Sequence, residues 1–229
     1  MRPVGLRRAL AVHTAGTGCR CATKPRLNGF RRQAQRQVAL SQGGEKSSME
    51  QAQIVSAPEK EIVVGAGRKL RLRPIRTDDA ECLVEMGLRS TPEDLRFRFF
   101  LPVRPMVGSL TSLLTGFNRQ NHIAVAAYDP ASAEGESGLL GVVRLVLSGD
   151  DPEGEFAIMV RSDQAGHGVG HRLMEEMLGW AHDRGLTRVR AEIMNENTRM
   201  LRLAKAFGAV VQPRSTDFRT IQVVIDLDS

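Results

Sequence analysis

A cluster of alternating glycines, set between an apolar strand and an amphipathic helix, is the part of the sequence best suited to chemistry. The cluster comprises Gly166, His167, Gly168, Val169, Gly170 and His171. Because glycine has no Cβ atom, successive backbone N–H groups can converge there, and the following helix adds partial positive charge at its N-terminus. The spacing therefore predicts a cradle for a pyrophosphate group. A tight strand-to-helix turn that binds no ligand is the alternative that the glycines alone leave open.

Three other phosphate- or metal-binding motifs fit this cluster poorly. A P-loop ends in Gly-Lys followed by Ser or Thr, whereas His171 and Arg172 follow the last glycine here. A dinucleotide-binding turn has the spacing G-x-G-x-x-G, and the spacing here is G-x-G-x-G. His167 and His171 are placed like the histidines of a zinc-protease helix, but the glutamate of that motif is missing. We therefore expect neither nucleotide hydrolysis nor a metal site.

The periodicity of apolar residues predicts the elements that hold this cluster in place. Alternation predicts six strands, near 69–75, 121–128, 139–147, 155–161, 187–194 and 219–227. Helical spacing predicts helices at 169–184 and 197–207, and a further short helix at 105–116. Capping residues predict two more helices, which begin at Thr77 and at Thr91-Pro92. The fold class is α+β (mixed α/β), with a central mixed, mostly antiparallel sheet of six to seven strands flanked by helices.

Charge is distributed unevenly along the 229 residues. Residues 1–48 contain ten basic side chains and one acidic side chain, a net charge of +9, whereas the remainder contains 22 basic and 25 acidic side chains, a net charge of −3. We expect a disordered basic N-terminal extension over 1–60 and one domain over 61–229. The extension could be a basic tail, a transit-like peptide or translated upstream sequence, with Met49 as the true start. Nucleic-acid binding is disfavoured because the domain itself is mildly acidic.

Composition also limits where the protein acts. The apolar runs are only a few residues long, far short of the roughly 20 residues needed to cross a bilayer. The three cysteines, Cys19, Cys21 and Cys82, are too few for the disulfide framework of a small secreted domain. We therefore expect no membrane partner and a reducing, cytoplasmic location.

The glycine cluster resembles a known family motif. The pattern V-x-x-x-x-x-G-x-G-x-G, leading into a helix, is similar to motif A of the GNAT acyltransferases, which bind the pyrophosphate of acetyl-CoA. The segment N-T-R-M-L-R-L-A-K-A-F-G at 197–208 resembles motif B of that family. The resemblance covers roughly residues 68–212. Finer detail, in EFAIMVRSD, N-x-x-M-L-x-L-A and LRFRFF, resembles the bacterial protein-lysine acetyltransferases.

The resemblance implies a GNAT fold in which the fourth and fifth predicted strands, 155–161 and 187–194, splay apart. It implies acetyl-CoA as the acyl donor, held by the backbone of the glycine cluster and by Asn197. It places Met159 and Val160 beside the thioester carbonyl. Two departures stand out: Ala165 replaces a usual Arg, Gln or Lys, and Ala204 replaces a tyrosine that protonates the departing thiolate in many members.

The resemblance also implies that Glu155 is the general base, although a solvated residue at the end of a turn is the alternative. Glu192 is the substitute candidate. The implied function is acetyl transfer to a primary amine, by direct transfer to a protein lysine, with acyl-CoA synthetases as candidate acceptors. A small-molecule amine acetyltransferase and a non-catalytic acetyl-CoA sensor remain alternatives.

Overall fold

The computed structural model of the chain describes residues 59–100, 122–133, 136–147, 152–212 and 219–227. Within these ranges, eight strands form one sheet: β1 (Lys60–Val64), β2 (Arg68–Pro74), β3 (His122–Tyr128), β4 (Leu139–Leu147), β5 (Glu153–Val160), β6 (Arg188–Met194), β7 (Val210–Gln212) and β8 (Thr220–Asp226). Their order across the sheet is β1-β2-β3-β4-β5-β6-β8-β7. Every neighbouring pair is antiparallel except β5 and β6. The predicted mixed, mostly antiparallel sheet is thus confirmed.

Two of these strands, β1 and β7, were not predicted from periodicity. They have five and three residues, so neither carries enough alternation to be recognised. β1 is held by its pairing with β2, from Lys60 opposite Leu72 to Val64 opposite Arg68. Almost all of the expected N-terminal extension, and the helix predicted at 105–116, lie outside the described residues.

Four α-helices complete the described fold: α1 (Ala80–Leu88), α2 (Pro92–Phe99), α3 (Val169–Asp183) and α4 (Thr198–Ala206). Thr91 caps α2 as predicted, since its side chain accepts a hydrogen bond from the Asp94 N–H at 3.1 Å. The cap predicted at Thr77 is wrong, because Thr77 begins a short 3-10 turn and Asp79 is the residue that precedes α1. No helix in the described ranges is long and apolar enough to span a membrane.

The helices cover the two faces of the sheet. The apolar stripe predicted for α3, at Val169, Leu173, Met177 and Ala181, is at most 1% exposed and packs on one face together with Phe156. On the other face, α1 packs Cys82, Leu83 and Met86 against Tyr128, Val142 and Met159. Val142 and Val143 belong to opposite clusters, as expected for successive residues of a strand.

A buried ion pair fixes α1 to the sheet. The Arg73 guanidinium on β2 donates two hydrogen bonds, of 2.6 and 2.7 Å, to the carboxylate of Asp79, and it lies 4.1 Å from the centre of the Tyr128 ring. Burial alone would raise the pKa of Asp79, but hydrogen bonds from Arg73 and from the Arg76 N–H outweigh burial and lower it. Asp79 therefore stays ionised and holds the start of α1 on β2.

The sheet opens between β5 and β6. These parallel strands pair only at Glu153 with Arg188, Gly154 with Val189 and Glu155 with Arg190. Beyond that point β5 stays paired with β4 as far as Val160, and β6 stays paired with β8 as far as Met194. The strands therefore diverge, which confirms the predicted splay and leaves what we term the β5/β6 gap.

Candidate active site

The glycine turn, residues 165–171, follows the end of β5 where the β5/β6 gap opens. Gly166 and Gly168 have φ angles of 81° and 85°, a region that favours glycine over other residues. A Cβ atom on Gly166 would meet no atom of the described residues within 4 Å, so this residue faces open space among them. α3 begins at Val169, within this turn, and the first N–H groups of a helix have no intrahelical acceptor. The turn thus presents backbone donors beside the gap.

Gly170 brings three elements together at the turn. A Cβ atom there would lie 3.4 Å from Leu203 on α4 and 3.6 Å from Val160 on β5. A methyl group there would make ordinary van der Waals contacts with both, so α3 lies directly against α4 and β5 at this point. This contact places the N-terminus of α3, the end of β5 and the flank of α4 around one point.

The two histidines of the turn are exposed and serve different contacts. The His167 N–H lies 3.4 Å from the Gln164 carbonyl oxygen, longer than a strong hydrogen bond. The His171 ring lies 4.6 Å from the Phe207 ring. Within the part of the chain that the structure describes, no group of three or more His, Cys, Asp or Glu side chains is arranged to hold a metal ion.

The side chain of Gln164, next to Ala165, contacts β2. Its amide oxygen accepts a hydrogen bond of 2.6 Å from Arg68 on β2. The same guanidinium pairs with Asp129, at the end of β3. Gln164 therefore ties the glycine turn to the sheet through its side-chain oxygen.

Asn197 lies at the start of α4, on the far side of the β5/β6 gap. Its side-chain oxygen accepts a hydrogen bond of 3.1 Å from the Met200 N–H and so caps the helix. The two N–H donors of its amide group are not needed for this cap. The side chain that the motif resemblance singled out is therefore held in place by its oxygen, with its nitrogen able to donate.

Met159 and Val160 differ in the direction of their backbone N–H groups. The Arg161 N–H donates to the Leu140 carbonyl oxygen at 2.8 Å, within the β4–β5 ladder. Since N–H groups alternate between the two sides of a strand, the Met159 N–H also points toward β4 and the Val160 N–H points toward the gap. Of the two residues predicted beside a thioester carbonyl, Val160 is the one that can offer its N–H there.

Glu155 is exposed on β5, in the last residue pair before the gap opens. It lies opposite Val146 on β4 and opposite Arg190 on β6. Glu192, the substitute candidate, is two residues beyond Arg190 on the same face of the sheet and is also exposed. Both carboxylates thus face the side of the sheet covered by α1 and α2, but Glu155 lies on the strand that leads into the glycine turn.

Two arginines near Glu155 were not predicted as site residues. Arg144 lies on β4 opposite Ala157, and Arg98 lies near the end of α2. With the apolar side chains of Met86, Phe99, Val142 and Met159, they line a narrow space that we term the arginine cleft. Arg144 is the one charged residue in the apolar run LLGVVRLVL. This isolated charge is the feature of the sequence that could have marked Arg144 as a site residue.

The charges around the arginine cleft influence one another. Burial, followed by repulsion from Arg144, lowers the pKa of Arg98 to about 10, although the negative charge of Glu155 opposes both effects. Burial also lowers the pKa of Arg144, and Glu155 again opposes the change. Both guanidinium groups remain protonated at neutral pH, so the cleft carries two positive charges beside one carboxylate.

Hydrogen bonds fix α2 next to the gap. Ser162, just after β5, accepts a hydrogen bond of 2.8 Å from the Thr91 N–H and also contacts the Asp94 carboxylate. Arg199 on α4 donates to the same carboxylate at 2.9 Å. The start of α2 is thereby tied both to the end of β5 and to α4, which lie on opposite sides of the gap.

Comparisons with known proteins agree with this geometry. The family model "Acetyltransferase (GNAT) domain" matches residues 69–210. An acetyltransferase of Pseudomonas aeruginosa is 25% identical over 146 residues, 64% of this chain and 77% of the relative. The GNAT domain of S. lividans PAT is 28% identical, with a TM-score of 0.65 over 74% of this chain and 97% of that one. Mycobacterium smegmatis RimJ, solved in complex with CoA-disulfide, shares the fold at 18% identity, with a TM-score of 0.56 over 74% of this chain and 87% of that one. The chain therefore belongs to the GNAT family and is an N-acetyltransferase.

Proposed function

We propose that this enzyme transfers an acetyl group from acetyl-CoA directly to the side-chain amine of a lysine in a protein, with Glu155 as the general base. The observation that carries the proposal is the layout of β5. One strand carries an exposed carboxylate, then an N–H directed into the β5/β6 gap, and then the glycine turn. These three features are the parts that an acyl transfer needs.

The residues of the glycine turn fit the diphosphate of the donor. The N–H groups between Gly166 and His171, together with the N-terminus of α3, favour an anion there. We propose that Gly166, His167, Gly168, Val169, Gly170 and His171 hold the diphosphate through their backbone. The amide nitrogen of Asn197 is placed to meet the pantetheine arm across the gap.

Glu155 supplies the proton acceptor that the reaction requires. A lysine amine with a pKa near 10.4 is only about 0.04% neutral at pH 7, so a base must remove its proton. The neutral nitrogen attacks the thioester carbonyl, the C–N bond forms, and the C–S bond breaks. The Val160 N–H is directed to where the carbonyl oxygen gains charge.

The thiolate leaves without a dedicated acid in this scheme. Ala204, at the position of the tyrosine found in many family members, is fully buried and has no proton to give. A thiolate whose conjugate acid has a pKa near about 8.5 is a good leaving group at neutral pH. The absence of the tyrosine should therefore slow the departure of the thiolate only slightly.

Two observations support a protein as the acceptor. The motifs in EFAIMVRSD, N-x-x-M-L-x-L-A and LRFRFF are similar to those of bacterial protein-lysine acetyltransferases. In addition, Glu155 is exposed on the surface, where a lysine on another protein can reach it. A small-molecule acceptor would favour a base enclosed in a pocket.

The experiment has two stages. Calorimetry with acetyl-CoA tests the glycine turn, and intact-mass analysis of acyl-CoA synthetases incubated with enzyme and acetyl-CoA tests the acceptor. We expect binding, and a mass gain equal to one acetyl group that depends on the enzyme. Binding without CoA release, whatever amine is offered, would instead indicate a sensor. CoA release with small amines only would replace the protein acceptor.

A further inference from the structure

Arg68 connects strand β2 to the residue that precedes the glycine turn. Its guanidinium donates a hydrogen bond of 2.6 Å to the side-chain oxygen of Gln164. It also donates two hydrogen bonds to the carboxylate of Asp129, one of them from Nε at 3.0 Å. Asp129, Arg68 and Gln164 therefore form a chain of contacts from the end of β3 to the glycine turn, which we term the Arg68 relay.

Asp129, the anchor of this relay, is itself held by its surroundings. Its N–H donates to the Gly138 carbonyl oxygen at 2.9 Å, and its carbonyl oxygen accepts from the Ser132 N–H at 3.3 Å. The carboxylate oxygen that Arg68 does not use accepts a hydrogen bond of 2.8 Å from the Ala131 N–H. Because charge-assisted hydrogen bonds are among the stronger ones, this anchor fixes the guanidinium so that Nη1 is directed to the neighbouring Gln164.

The position of Gln164 affects one of the proposed diphosphate donors. The Gln164 carbonyl oxygen lies 3.4 Å from the His167 nitrogen, a long distance for a hydrogen bond. If the Gln164 peptide moved closer, the carbonyl would occupy this N–H and withdraw it from a ligand. The Gln164 side chain is held at its oxygen by Arg68, and its amide group also hydrogen-bonds the Asp163 carboxylate. The Arg68 relay therefore sets how available the His167 N–H is.

The tip of the β1–β2 hairpin also touches the glycine turn. A Cβ atom on Gly65 would lie 3.6 Å from the His167 carbonyl oxygen, and one on Gly168 would lie 3.6 Å from the Val64 side chain. Such van der Waals contacts have no preferred direction, whereas the hydrogen bond from Arg68 fixes both the distance and the direction of the Gln164 oxygen. We therefore expect the hairpin to limit how far the turn moves and the relay to fix its resting position.

We propose that Arg68 is a positioning residue for the acyl donor: through Gln164 it holds the glycine turn in the conformation that binds the diphosphate of acetyl-CoA. This inference rests on the proposed function, because the glycine turn is the proposed donor site. Arg68 acts through Gln164 and not on the reacting atoms, so its loss should weaken donor binding and leave the chemical step unchanged.

Calorimetry with acetyl-CoA on the full chain tests the relay. Arg68→Met should raise the acetyl-CoA Kd by about threefold to tenfold, the range expected for the loss of one hydrogen bond. Arg71→Met is the matched control, because Arg71 lies on the same strand but pairs with Glu59, at 3.3 Å. The control should keep the Kd of the unmodified protein. Equal weakening by both variants would indicate a general effect of removing positive charge from β2 and would overturn the inference.

A double variant separates action through Gln164 from direct contact with the donor. Gln164→Leu alone should raise the Kd by about the same factor as Arg68→Met, and it tests the relay even if Arg68→Met fails to fold. Since both changes break the same hydrogen bond, adding Arg68→Met to Gln164→Leu should change the Kd by less than about twofold. A further full loss of affinity in the double variant would mean that Arg68 acts without Gln164, and would overturn the inference.

Kinetics supply the readout that a general structural role would not give. With an acyl-CoA synthetase as the acceptor, Arg68→Met should raise the KM for acetyl-CoA and leave kcat unchanged. A lower kcat with an unchanged Kd would contradict the positioning role. An unchanged Kd in both Arg68→Met and Gln164→Leu would overturn this inference and leave the proposed function intact, whereas failure of the unmodified protein to bind acetyl-CoA would overturn both.

Discussion

The arginine cleft lies beside β5 and the glycine turn follows the end of the same strand, but the two are built differently. The glycine turn is local in sequence, and its donors are backbone N–H groups whose geometry depends on glycines at positive φ. The arginine cleft combines side chains from α1, α2, β4 and β5, which are far apart in the chain. The geometry of a site made of backbone groups is determined by a few neighbouring residues. The geometry of a site made of side chains depends on all the contacts that position the helices and strands carrying them.

The largest expected effect is the loss of activity in Glu155→Gln, a substitution on β5 beside the arginine cleft. Because Glu155 is the proposed general base, its loss should lower kcat/KM by about 10²–10⁴, chiefly through kcat, as measured by CoA release. Glu192→Gln is the matched control, since Glu192 is an exposed carboxylate on the same face of the sheet. If Glu155→Gln kept its rate while Glu192→Gln lost it, the base would be Glu192.

The next effect concerns the ion pair that holds α1 against the sheet. Asp79→Asn leaves the Arg73 guanidinium buried without its counter-charge and should lower the free energy of unfolding by about 3–5 kcal/mol. Urea unfolding followed by circular dichroism measures the change. Asp78→Asn, one residue earlier and exposed, should cost far less. Equal losses in the two variants would mean that the buried pair has no special role.

The same pair predicts a dependence of stability on pH. The folded state lowers the pKa of Asp79 below its ordinary value of 3.8. The stabilisation is therefore complete above that value and is lost as the pH falls through the lower, folded-state pKa. Thermal unfolding between pH 6 and pH 3 should show the advantage of the unmodified protein over Asp79→Asn shrinking at the acid end. A constant difference over this range would contradict the assignment.

A smaller effect, on the backbone region, is expected for Gly166→Ala. An alanine at positive φ is strained by about 1–2 kcal/mol, so the turn should shift and weaken acetyl-CoA binding by roughly tenfold. Gly185→Ala provides the control, because Gly185 has φ 71° and lies just beyond the other end of α3. An added Cβ there would have no atom within 4 Å in the part of the chain that the structure describes. Calorimetry should show the Gly185→Ala Kd unchanged. Similar weakening by both variants would point to global strain.

The smallest effect is expected at the cap of α2. Thr91→Ala removes the hydroxyl that accepts the Asp94 N–H and should cost about 1 kcal/mol of unfolding free energy. Thr91→Ser keeps the hydroxyl and should restore most of the loss, as measured by urea unfolding. If the serine variant were as destabilised as the alanine variant, packing and not capping would explain the role of Thr91.

The features that the sequence predicted well are those with a local cause. The stripe of α3, the cap at Thr91 and the three consecutive antiparallel strands follow from periods and turn residues within a few positions. The splay of β5 and β6 was predicted only through the family resemblance. The contacts of the predicted base and of the cofactor-binding residues with their substrates stay predictions.

The features that the sequence did not predict depend on distant partners. β1 forms because β2 offers it an edge, and Asp79 replaces Thr77 at the start of α1 because Arg73 holds its carboxylate. Arg98 and Arg144 are 46 positions apart in the sequence, and they become neighbours because α2 packs on β5, which is paired with β4. Without an alignment, no periodicity or composition could link them.

The short pairing between β5 and β6 gives the proposed donor site a consequence for stability as well as for the reaction. Three residue pairs are the direct ladder between one half of the described sheet, β1 to β5, and the other, β6 to β8. A molecule lodged in the opening adds contacts to both halves at once. At a free concentration one hundred times its Kd, such a molecule would raise the free energy of unfolding by about 2.7 kcal/mol. Melting-temperature screens of acyl-CoA thioesters should therefore rank donors before any acceptor has been identified.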